Sequence, residues 1–291
     1  MKKIVIHKAG SFDQLKIESC PDVKPGEGEV VVDTRAIGIN FADCCVRMGY
    51  YASAKEYVGW PITPGFEFSG IVREVGEGVD NFAPGDEVLG FTRFGAYAEQ
   101  VVVPRHQLYP KPVHLSFEEA GGVLVNFLTA YYALHLTVHV DPGSIILVHS
   151  AAGGVGSAAL QLCELEGWKT IAVVGASHKV KTAKKNGATW VIDKSREDLW
   201  EKVDHCAPNG LDVVLDSNGI ETLKQGYDRL KQPGKLISYG HHTMFPRGKG
   251  MPNPIRLVWD YLITPRFNPV DMKNKTIVSF NLSFMFDRTD L

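Results

Sequence analysis

The chain of 291 residues carries 31 Lys plus Arg and 33 Asp plus Glu, which leaves a formal charge of -2. Apolar residues make up 44% and charged residues 22%, as in a folded globular protein and unlike a disordered chain or a coiled coil. The length predicts two domains, and the balanced charge argues against nucleic acid as a partner.

The cysteines and the start of the chain bear on its location. The five cysteines are scattered and form no Cys-x-x-Cys pair, so we expect neither a disulfide framework nor a cysteine-rich zinc site. Charge returns at Lys8, before an apolar signal-peptide core of about 7 to 15 residues is complete. Residues 144–163 lack Lys, Arg, Asp and Glu, but their glycine cluster argues against a membrane span. We therefore predict a cytoplasmic protein.

The first third of the chain predicts an irregular, barrel-like β domain, because short β-rich runs alternate with Pro-Gly breaks. Ser116, with acids in the turn that follows, has the character of a helix N-cap, and an apolar segment continues to Leu134. We therefore expect a domain boundary near residue 116, with a first domain over residues 1–115. The β-rich runs are residues 29–32, 70–75, 86–90 and 99–103, and the breaks are at 25–26, 64–65 and 84–85.

Residues 116–291 predict an α/β domain. From residue 144 onward, strand-like and helical segments alternate, which indicates a doubly wound parallel sheet of the Rossmann type. We interpret the apolar residues 255–263 as a packing or dimer helix, because they lack the strongly basic opposite face of a membrane-surface helix. The predicted strands are residues 144–148, 170–174, 190–192, 212–216 and 235–240, and the predicted helices are residues 158–165, 179–186 and 222–230.

A glycine-rich turn follows the first of these strands. Gly153 and Gly156 let the backbone approach a pyrophosphate, and the amides at the start of the following helix would bind the anion. Ala151 stands where the first glycine of the fingerprint usually occurs, so an ordinary strand-to-helix turn is the alternative. The strand before the turn and the βαβ pattern after it favour dinucleotide binding.

The end of the next strand indicates which dinucleotide binds. NAD-selective domains carry an Asp or Glu about 20 residues beyond the glycines, and this chain has none at that strand end. It has Ser177 and Lys179 instead, and Lys194 follows the third strand, which favours the 2′-phosphate of NADPH. The alternative is that Lys179 belongs to a solvated basic helix face.

Several longer stretches carry a family resemblance, namely residues 38–43, 64–70, 79–88 and 126–131 together with the glycine turn. With them the chain resembles, over nearly its whole length, the zinc-free quinone oxidoreductase group of the medium-chain dehydrogenase/reductase superfamily. Residues 278–284 resemble the branch that contains vesicle amine transport protein 1. The resemblance implies a GroES-like catalytic domain over residues 1–115 and a Rossmann NADP-binding domain over residues 116–291. Members continue past this region with segments that return to the first domain, a return that we expect to be missing here.

The resemblance also bears on metal binding. Zinc-dependent members hold their catalytic metal through a Cys, a His and a further Cys or acid. The matching positions here are Asn40, Phe66 and Val125, which offer neither thiolate nor imidazole, and the neighbouring Cys44 and Cys45 fall outside them. The resemblance therefore implies no zinc and no other metal site.

The resemblance implies the following site residues. Asn40 is expected beside the nicotinamide, Tyr51 at the substrate entrance, and Asp43 as an orienting or proton-relay group; these three are the candidates for catalysis. The alternatives are an exposed turn tyrosine for Tyr51 and a helix cap for Asp43. Glu67 is expected to hold a loop. The residues implied to bind the cofactor are Asn40, Thr129, Ala152, Gly153, Gly154, Val155, Gly156, Ala176, Ser177, Lys179, Lys194, Asn218, Tyr239, Gly240, Phe280 and Leu282.

The function so implied is hydride transfer from NADPH to a quinone or another activated carbonyl or enone. A quinone gains aromaticity on reduction, so it needs no zinc, and the protein's task is to position it against the nicotinamide. The alternative is an NADPH-binding, weakly catalytic interaction protein, with membrane association left open. A homodimer is expected from the family, formed through the strand at residues 277–284.

Overall fold

The computed structural model describes residues 1–245, 251–264 and 273–288, which pack into two compact units. The first unit contains Met1–Val125 and the described part of the segment that starts at Leu282, and the second contains Asn126–Asn281. Among the described residues, no helix combines the length and the apolar run needed to cross a bilayer.

The first unit is built on a curled antiparallel sheet. Five strands follow one another in the order β6-β3-β4-β5-β7, and a separate pair, β1 and β2, is also antiparallel. Two register shifts between β3 and β4 bend the sheet, as β-bulges do, and confirm the predicted barrel-like domain. Val30, Phe68 and Val88 form part of its fully buried core. The strands are β1 Lys2–Val5, β2 Lys16–Ser19, β3 Glu29–Ile37, β4 Glu67–Val75, β5 Glu87–Phe91, β6 Gln100–Pro104 and β7 Leu108–Pro110.

Three short helices accompany this sheet: α1 Phe41–Met48, α2 Ala52–Tyr57 and α3 Phe117–Ala120. Ser116 caps α3 as predicted: its backbone N–H donates to Glu119 Oε2 at 3.0 Å, and its hydroxyl accepts from Glu119 N–H at 3.2 Å. The Ser69 hydroxyl on β4 donates to the carbonyl of Phe117, which ties α3 to the first unit. The units therefore divide after Val125, later than the boundary predicted near residue 116.

The second unit is a parallel six-stranded sheet in the order β10-β9-β8-β11-β12-β13. Counted along the chain this is the order 3-2-1-4-5-6 of a Rossmann domain, which confirms the predicted fold. Two apolar clusters cover the sheet, so β8 and β9 are buried along nearly their whole length. The strands are β8 Ile145–Val148, β9 Lys169–Val174, β10 Trp190–Asp193, β11 Leu211–Asp216, β12 Leu230–Ser238 and β13 Lys275–Ser279.

The helices of this part of the chain include one that the sequence analysis did not predict. It is α7, which begins after Asp198, whose carboxylate accepts from the backbone N–H groups of Trp200 and Glu201. The apolar segment at residues 255–263 is helical, as expected. The helices are α4 Leu124–Tyr131, α5 Gly154–Leu165, α6 Val180–Lys185, α7 Leu199–Cys206, α8 Ile220–Asp228 and α9 Pro254–Ile263, and a π-helical turn spans Tyr132–Leu136.

The C-terminal segment packs with the first unit. The Ser283 hydroxyl lies 2.6 Å from that of Ser53, and Arg93 Nε donates to the Ser283 carbonyl at 3.1 Å. The Arg93 guanidinium also pairs with Asp287 at 2.9 Å and stacks 4.0 Å above the Tyr57 ring. Residues 282–288 therefore belong to the first unit.

Candidate cofactor and substrate site

The predicted cofactor residues of the second unit lie mainly at one edge of its sheet. The strands are parallel, so their carboxyl ends meet at the same edge, where doubly wound domains bind ligands. Each strand is followed there by residues of the implied site, which the structure thereby brings together. They are Ala152, Gly153, Gly154, Val155 and Gly156 after β8, Ala176, Ser177 and Lys179 after β9, Lys194 after β10, Asn218 after β11, Tyr239 and Gly240 after β12, and Phe280 after β13.

A backbone hydrogen bond within the glycine turn after β8 holds the turn in its tight conformation. Gly153 N–H donates to the Ser150 carbonyl at 2.8 Å, and Ser150 adopts a positive φ of 52°. Gly156 is buried against this turn: a Cβ there would lie 2.5 Å from the Ser150 carbonyl oxygen. Gly153 and Gly154 are exposed at the start of α5, where free amides and the helix dipole favour an anion. The turn therefore fits a pyrophosphate.

Asp216 supports the neighbouring turn after β11. It is fully buried, and its carboxylate accepts from the backbone N–H groups of Asn218 and Gly219, both at 2.8 Å, and from the Thr222 hydroxyl at 2.5 Å. The Ser150 hydroxyl donates to Asn218 Oδ1 at 3.2 Å and so joins the turns after β8 and β11. The sequence analysis missed this role of Asp216, whose signal is a single acid at the end of an apolar strand.

His149 lies between β8 and the glycine turn and was also not foreseen. Its side chain is fully buried, and neither ring nitrogen has a hydrogen-bond partner among the described residues. Its Nε2 lies 3.9 Å from Asp216 Oδ2, and its ring meets that of Trp200 edge-on. Burial lowers the pKa of His149 to about 4, against the opposing charge of Asp216. The imidazole is therefore neutral in the folded protein at neutral pH.

The loop after β9 contains the exposed Lys179 and is approached by Lys194 and by an unforeseen carboxylate, Asp193. The Ser177 hydroxyl donates to Asp193 Oδ2 at 2.6 Å, and the hydrogen bonds from Ser177 and Ser195 lower the pKa of Asp193. Lys194 passes over Gly175, where a Cβ would lie 3.8 Å from its Cε, and Lys179 is exposed nearby in sequence. The positive charges at this loop are therefore Lys179 within it and Lys194 after β10, while Ser177 is oriented by Asp193.

In the first unit, Asn40 is held by two buried carboxylates. It is the N-cap residue of α1, and its backbone N–H donates to Asp43 Oδ2 while its side-chain Nδ2 donates to Glu67 Oε1, both at 2.8 Å. Asp43 also accepts from Gly65 N–H at 2.9 Å and from the Tyr97 hydroxyl at 3.1 Å. Burial raises the pKa of Asp43 to about 6. This geometry favours the helix-cap interpretation of Asp43.

Tyr51 lies in an aromatic cluster rather than in an exposed turn. It is half-buried at the start of α2, and its ring meets Phe66 at 5.5 Å and Phe94 at 6.3 Å between centroids. The ring centroids of Phe66 and Phe94 are 5.2 Å apart, so each of the three rings contacts the other two. Such edge-on contacts fix the ring planes. The sequence analysis did not place Phe94 beside Tyr51, because the two are far apart in the chain.

The other implied residues are divided between the units. Thr129 is half-buried on α4, and the rings of Tyr239 and Phe280 stack with centroids 6.4 Å apart. Burial raises the pKa of Tyr239 to about 12, so its hydroxyl stays protonated. Leu282 belongs to the C-terminal segment of the first unit.

Comparisons with known proteins show which family has this architecture. The family model of the alcohol dehydrogenase GroES-like domain matches residues 26–113, and that of zinc-binding dehydrogenases matches residues 154–281. The synaptic vesicle membrane protein VAT-1 homolog of Rattus norvegicus is 34% identical over 293 residues, which cover 100% of this chain and 72% of that protein. The chain belongs to the medium-chain dehydrogenase/reductase superfamily.

Two further relatives place it within the superfamily. The 2-haloacrylate reductase of Burkholderia sp is 36% identical over 261 residues, 88% of this chain and 76% of that protein. The crystal structure of Escherichia coli quinone oxidoreductase complexed with NADPH superposes with a TM-score of 0.82 at 30% identity, covering 100% of this chain and 84% of that one. Together with the VAT-1 homolog, these relatives confirm the quinone oxidoreductase group and the VAT-1 branch, and by family the chain is an oxidoreductase.

The second family description names zinc, but the residues at the matching positions are not zinc ligands. At the positions that match the catalytic ligands of zinc-dependent medium-chain dehydrogenases, the Asn40 amide and the Val125 backbone N–H both donate to Glu67, and Phe66 packs on aromatic rings. In the part of the chain that the structure describes, no three His, Cys, Asp or Glu side chains are grouped to hold a metal ion. This donor set does not fit zinc, which takes thiolate, imidazole or free carboxylate ligands.

Proposed function

We propose that the protein is a zinc-independent reductase that transfers hydride from NADPH to a quinone or another activated carbonyl or enone. The observation that carries the proposal is the loop after β9, where Lys194 crosses Gly175 at the position of the ribose-binding acid of NAD-selective domains. The Escherichia coli relative, described as complexed with NADPH, supports the same cofactor.

The chain's own residues divide the binding task. The amides from Gly154 to Gly156 hold the pyrophosphate, and Lys179 and Lys194 hold the 2′-phosphate as charged donors. Asn40 and Thr129 orient the nicotinamide, which supplies the hydride when bound. Asn218, Tyr239, Gly240, Phe280 and Leu282 line the remainder of the cofactor site.

On the substrate side, the residues that we propose to meet the acceptor are Tyr51 and Asn40. A quinone is flat and apolar, so the Tyr51 ring stacks on it within the aromatic cluster, and the Asn40 amide orients its carbonyl. Asp43 holds the start of α1 and thereby Asn40. The acceptor takes its proton from water, because reduction to an aromatic product needs no strong acid.

The activity is tested by following NADPH absorbance in the presence of an ortho-quinone. We expect quinone-dependent oxidation of NADPH that survives exhaustive treatment with a metal chelator, and no comparable rate with an unactivated ketone. Loss of the rate on chelation, with recovery on adding zinc, would contradict zinc independence.

A second function is favoured by a specific surface. Helix α9 exposes Ile255 by 80%, Trp259 by 62% and Leu262 by 58%, and a relative is described as a synaptic vesicle membrane protein. An NADPH-binding interaction or membrane-associated protein would bind NADPH and pellet with liposomes but leave the quinone unreduced. This outcome of the activity test would replace the reductase proposal.

We also propose a homodimer formed at β13, which with β10 is an edge strand of the parallel sheet among the described residues. Ile277 is exposed on it, so pairing with a second copy would cover apolar surface and unpaired backbone groups. Light scattering on the purified protein tests the proposal: a mass of two chains supports it, and a monomer at all concentrations contradicts it.

Replacement of Lys179 by alanine tests the cofactor assignment. We expect NADPH binding to weaken by about 1 to 3 kcal/mol, the contribution of a hydrogen bond to a charged group, with little change for NADH. Parallel titrations with the two cofactors measure this, and Lys185→Ala, an exposed lysine at the end of α6, is the matched control. Equal losses for both cofactors would contradict contact with the 2′-phosphate.

A further inference from the structure

Asp193, the last residue of β10, is brought to the loop after β9 by the pairing of the two strands. In the parallel register it lies opposite Val174, the last residue of β9, and Lys194 N–H donates to the Val174 carbonyl at 3.0 Å. The Asp193 carboxylate thereby reaches the Ser177 hydroxyl, which lies 2.6 Å from its Oδ2. Asp193 is 6% exposed, whereas Ser177 is exposed after the carboxyl end of β9. All of these residues belong to the second unit.

The charge of Asp193 fixes the direction of this hydrogen bond. The hydrogen bond from Ser177, followed by that from the Ser195 hydroxyl, lowers the pKa of Asp193, so the group is a carboxylate at neutral pH. A carboxylate accepts hydrogen bonds and donates none, so the single hydroxyl proton of Ser177 points to Asp193. Only the oxygen lone pairs of Ser177 remain for a ligand, and Ser177 therefore meets a ligand as an acceptor.

This polarity matters for the group at the 2′ position of the cofactor ribose. A phosphate monoester has a second pKa of about 6, so above neutral pH the 2′-phosphate of NADPH has no proton to donate. Lys179 and Lys194 can hold such a dianion, but an acceptor such as Ser177 cannot. The 2′-hydroxyl of NADH carries a proton that Ser177 can accept. NAD-selective domains bind this hydroxyl directly with an acid after the second strand, whereas here the acid ends the third strand and acts through a serine.

We infer that Asp193 is a specificity-determining residue, which holds Ser177 as an acceptor and so lets the site bind NADH through its 2′-hydroxyl as a second, weaker cofactor. The inference rests on the proposed function, in which the loop after β9 meets the 2′ position of the ribose. The two lysines favour NADPH, and the pair of serine and carboxylate retains NADH. The negative charge of Asp193 also opposes that of the phosphate, which acts in the same direction.

Replacing Asp193 with asparagine is expected to reverse the polarity of Ser177. Asp193 Oδ1 accepts from the backbone N–H and the hydroxyl of Ser195, at 3.0 and 2.6 Å, so the asparagine keeps its carbonyl oxygen there. Its amide nitrogen then faces Ser177 and donates to it, which frees the serine proton for the 2′-phosphate. At pH 8 we expect the ratio of NADPH affinity to NADH affinity to rise at least about tenfold in Asp193→Asn.

Ser177→Ala separates the hydrogen bond from the effect of charge. In the wild-type background we expect it to weaken NADH binding about three- to tenfold and to leave NADPH binding unchanged. In the Asp193→Asn background we expect it to weaken NADPH binding about tenfold, because the serine there donates to the phosphate. Thr182→Val, which removes an exposed hydroxyl from α6, is the matched control and keeps both wild-type affinities.

Thermal melts establish that each variant is folded before equilibrium titration with NADPH and NADH. An unchanged NADH affinity in Ser177→Ala, or a wild-type protein that binds NADPH but no NADH, would overturn the inference and leave the proposed function standing. If Asp193→Asn does not fold, Ser177→Ala decides alone, and only a loss selective for NADH supports the inference. A wild-type protein that binds neither cofactor would overturn the proposed function, and this inference with it.

Discussion

Replacing Gly156 with alanine is expected to lower the free energy of unfolding by about 2 kcal/mol, within the range for overpacked sites, and to abolish NADPH binding. The added Cβ would lie 2.5 Å from the Ser150 carbonyl oxygen and 2.7 Å from Ala151 Cα. Both are backbone atoms of the closed turn after β8, so neither can move without opening it. The gain of about 1 kcal/mol from alanine in a helix does not offset this clash.

Chemical unfolding and NADPH titration measure the two effects of Gly156→Ala. The matched comparison is Gly153→Ala in the same turn, where the nearest atom to the new Cβ is the Ser150 carbonyl oxygen at 3.1 Å. Gly153 has an extended backbone that alanine adopts freely, so a smaller loss of stability is expected there. Equal stability losses in the two variants would contradict the packing argument.

The second large effect is expected at His149, as a dependence of stability on pH. Burial lowers the pKa of His149 from 6.5 to about 4, so between these values the unfolded chain binds a proton that the folded protein does not. The free energy of unfolding is therefore highest above pH 6.5, where His149 is neutral in both states, and it falls as the pH is lowered toward 4. The difference between the two pKa values corresponds to a loss of about 3 kcal/mol in the free energy of unfolding.

The measurement is the free energy of unfolding across that pH range for the wild type and for His149→Leu. The variant cannot take up the proton, so we expect it to lose much less stability on acidification. At neutral pH we expect it to match or exceed the wild type, because it removes two buried ring nitrogens that lack partners among the described residues. His114→Gln, which changes an exposed histidine, is the control and is expected to keep the wild-type pH dependence. The same acid dependence in His149→Leu would contradict the assignment.

Much of the second unit was predictable from the chain because its signals are local. The alternation of apolar strands and amphipathic helices after residue 144 predicts a parallel sheet, and the carboxyl ends of parallel strands necessarily share an edge. Lys194 and Asn218, which the family resemblance had implied as cofactor residues, therefore follow strands at the same edge of the sheet. Helix α7 escaped prediction, although Asp198 offers the N-cap signal at its start.

The contacts that define the site were less accessible, because they join residues distant in sequence. The bond between Asn40 and Glu67 depends on the register of β4 against β3, which two bulges shift. The bond between Ser177 and Asp193 depends on the pairing of β9 with β10, and local sequence gives no sign that a carboxylate orients this serine. Local patterns predict which residues follow a strand. Which side chains then form hydrogen bonds with each other depends on how distant segments of the chain pack together.

The cofactor specificity of the whole protein is tested most directly by one comparison. Purified wild-type protein is titrated to equilibrium with NADPH and, in parallel, with NADH under the same salt conditions. We expect NADPH to bind and NADH to bind at least about tenfold more weakly, the loss of one charge-assisted contact to the 2′-phosphate. Equal affinities, or no binding of either cofactor, would contradict an NADPH-dependent enzyme.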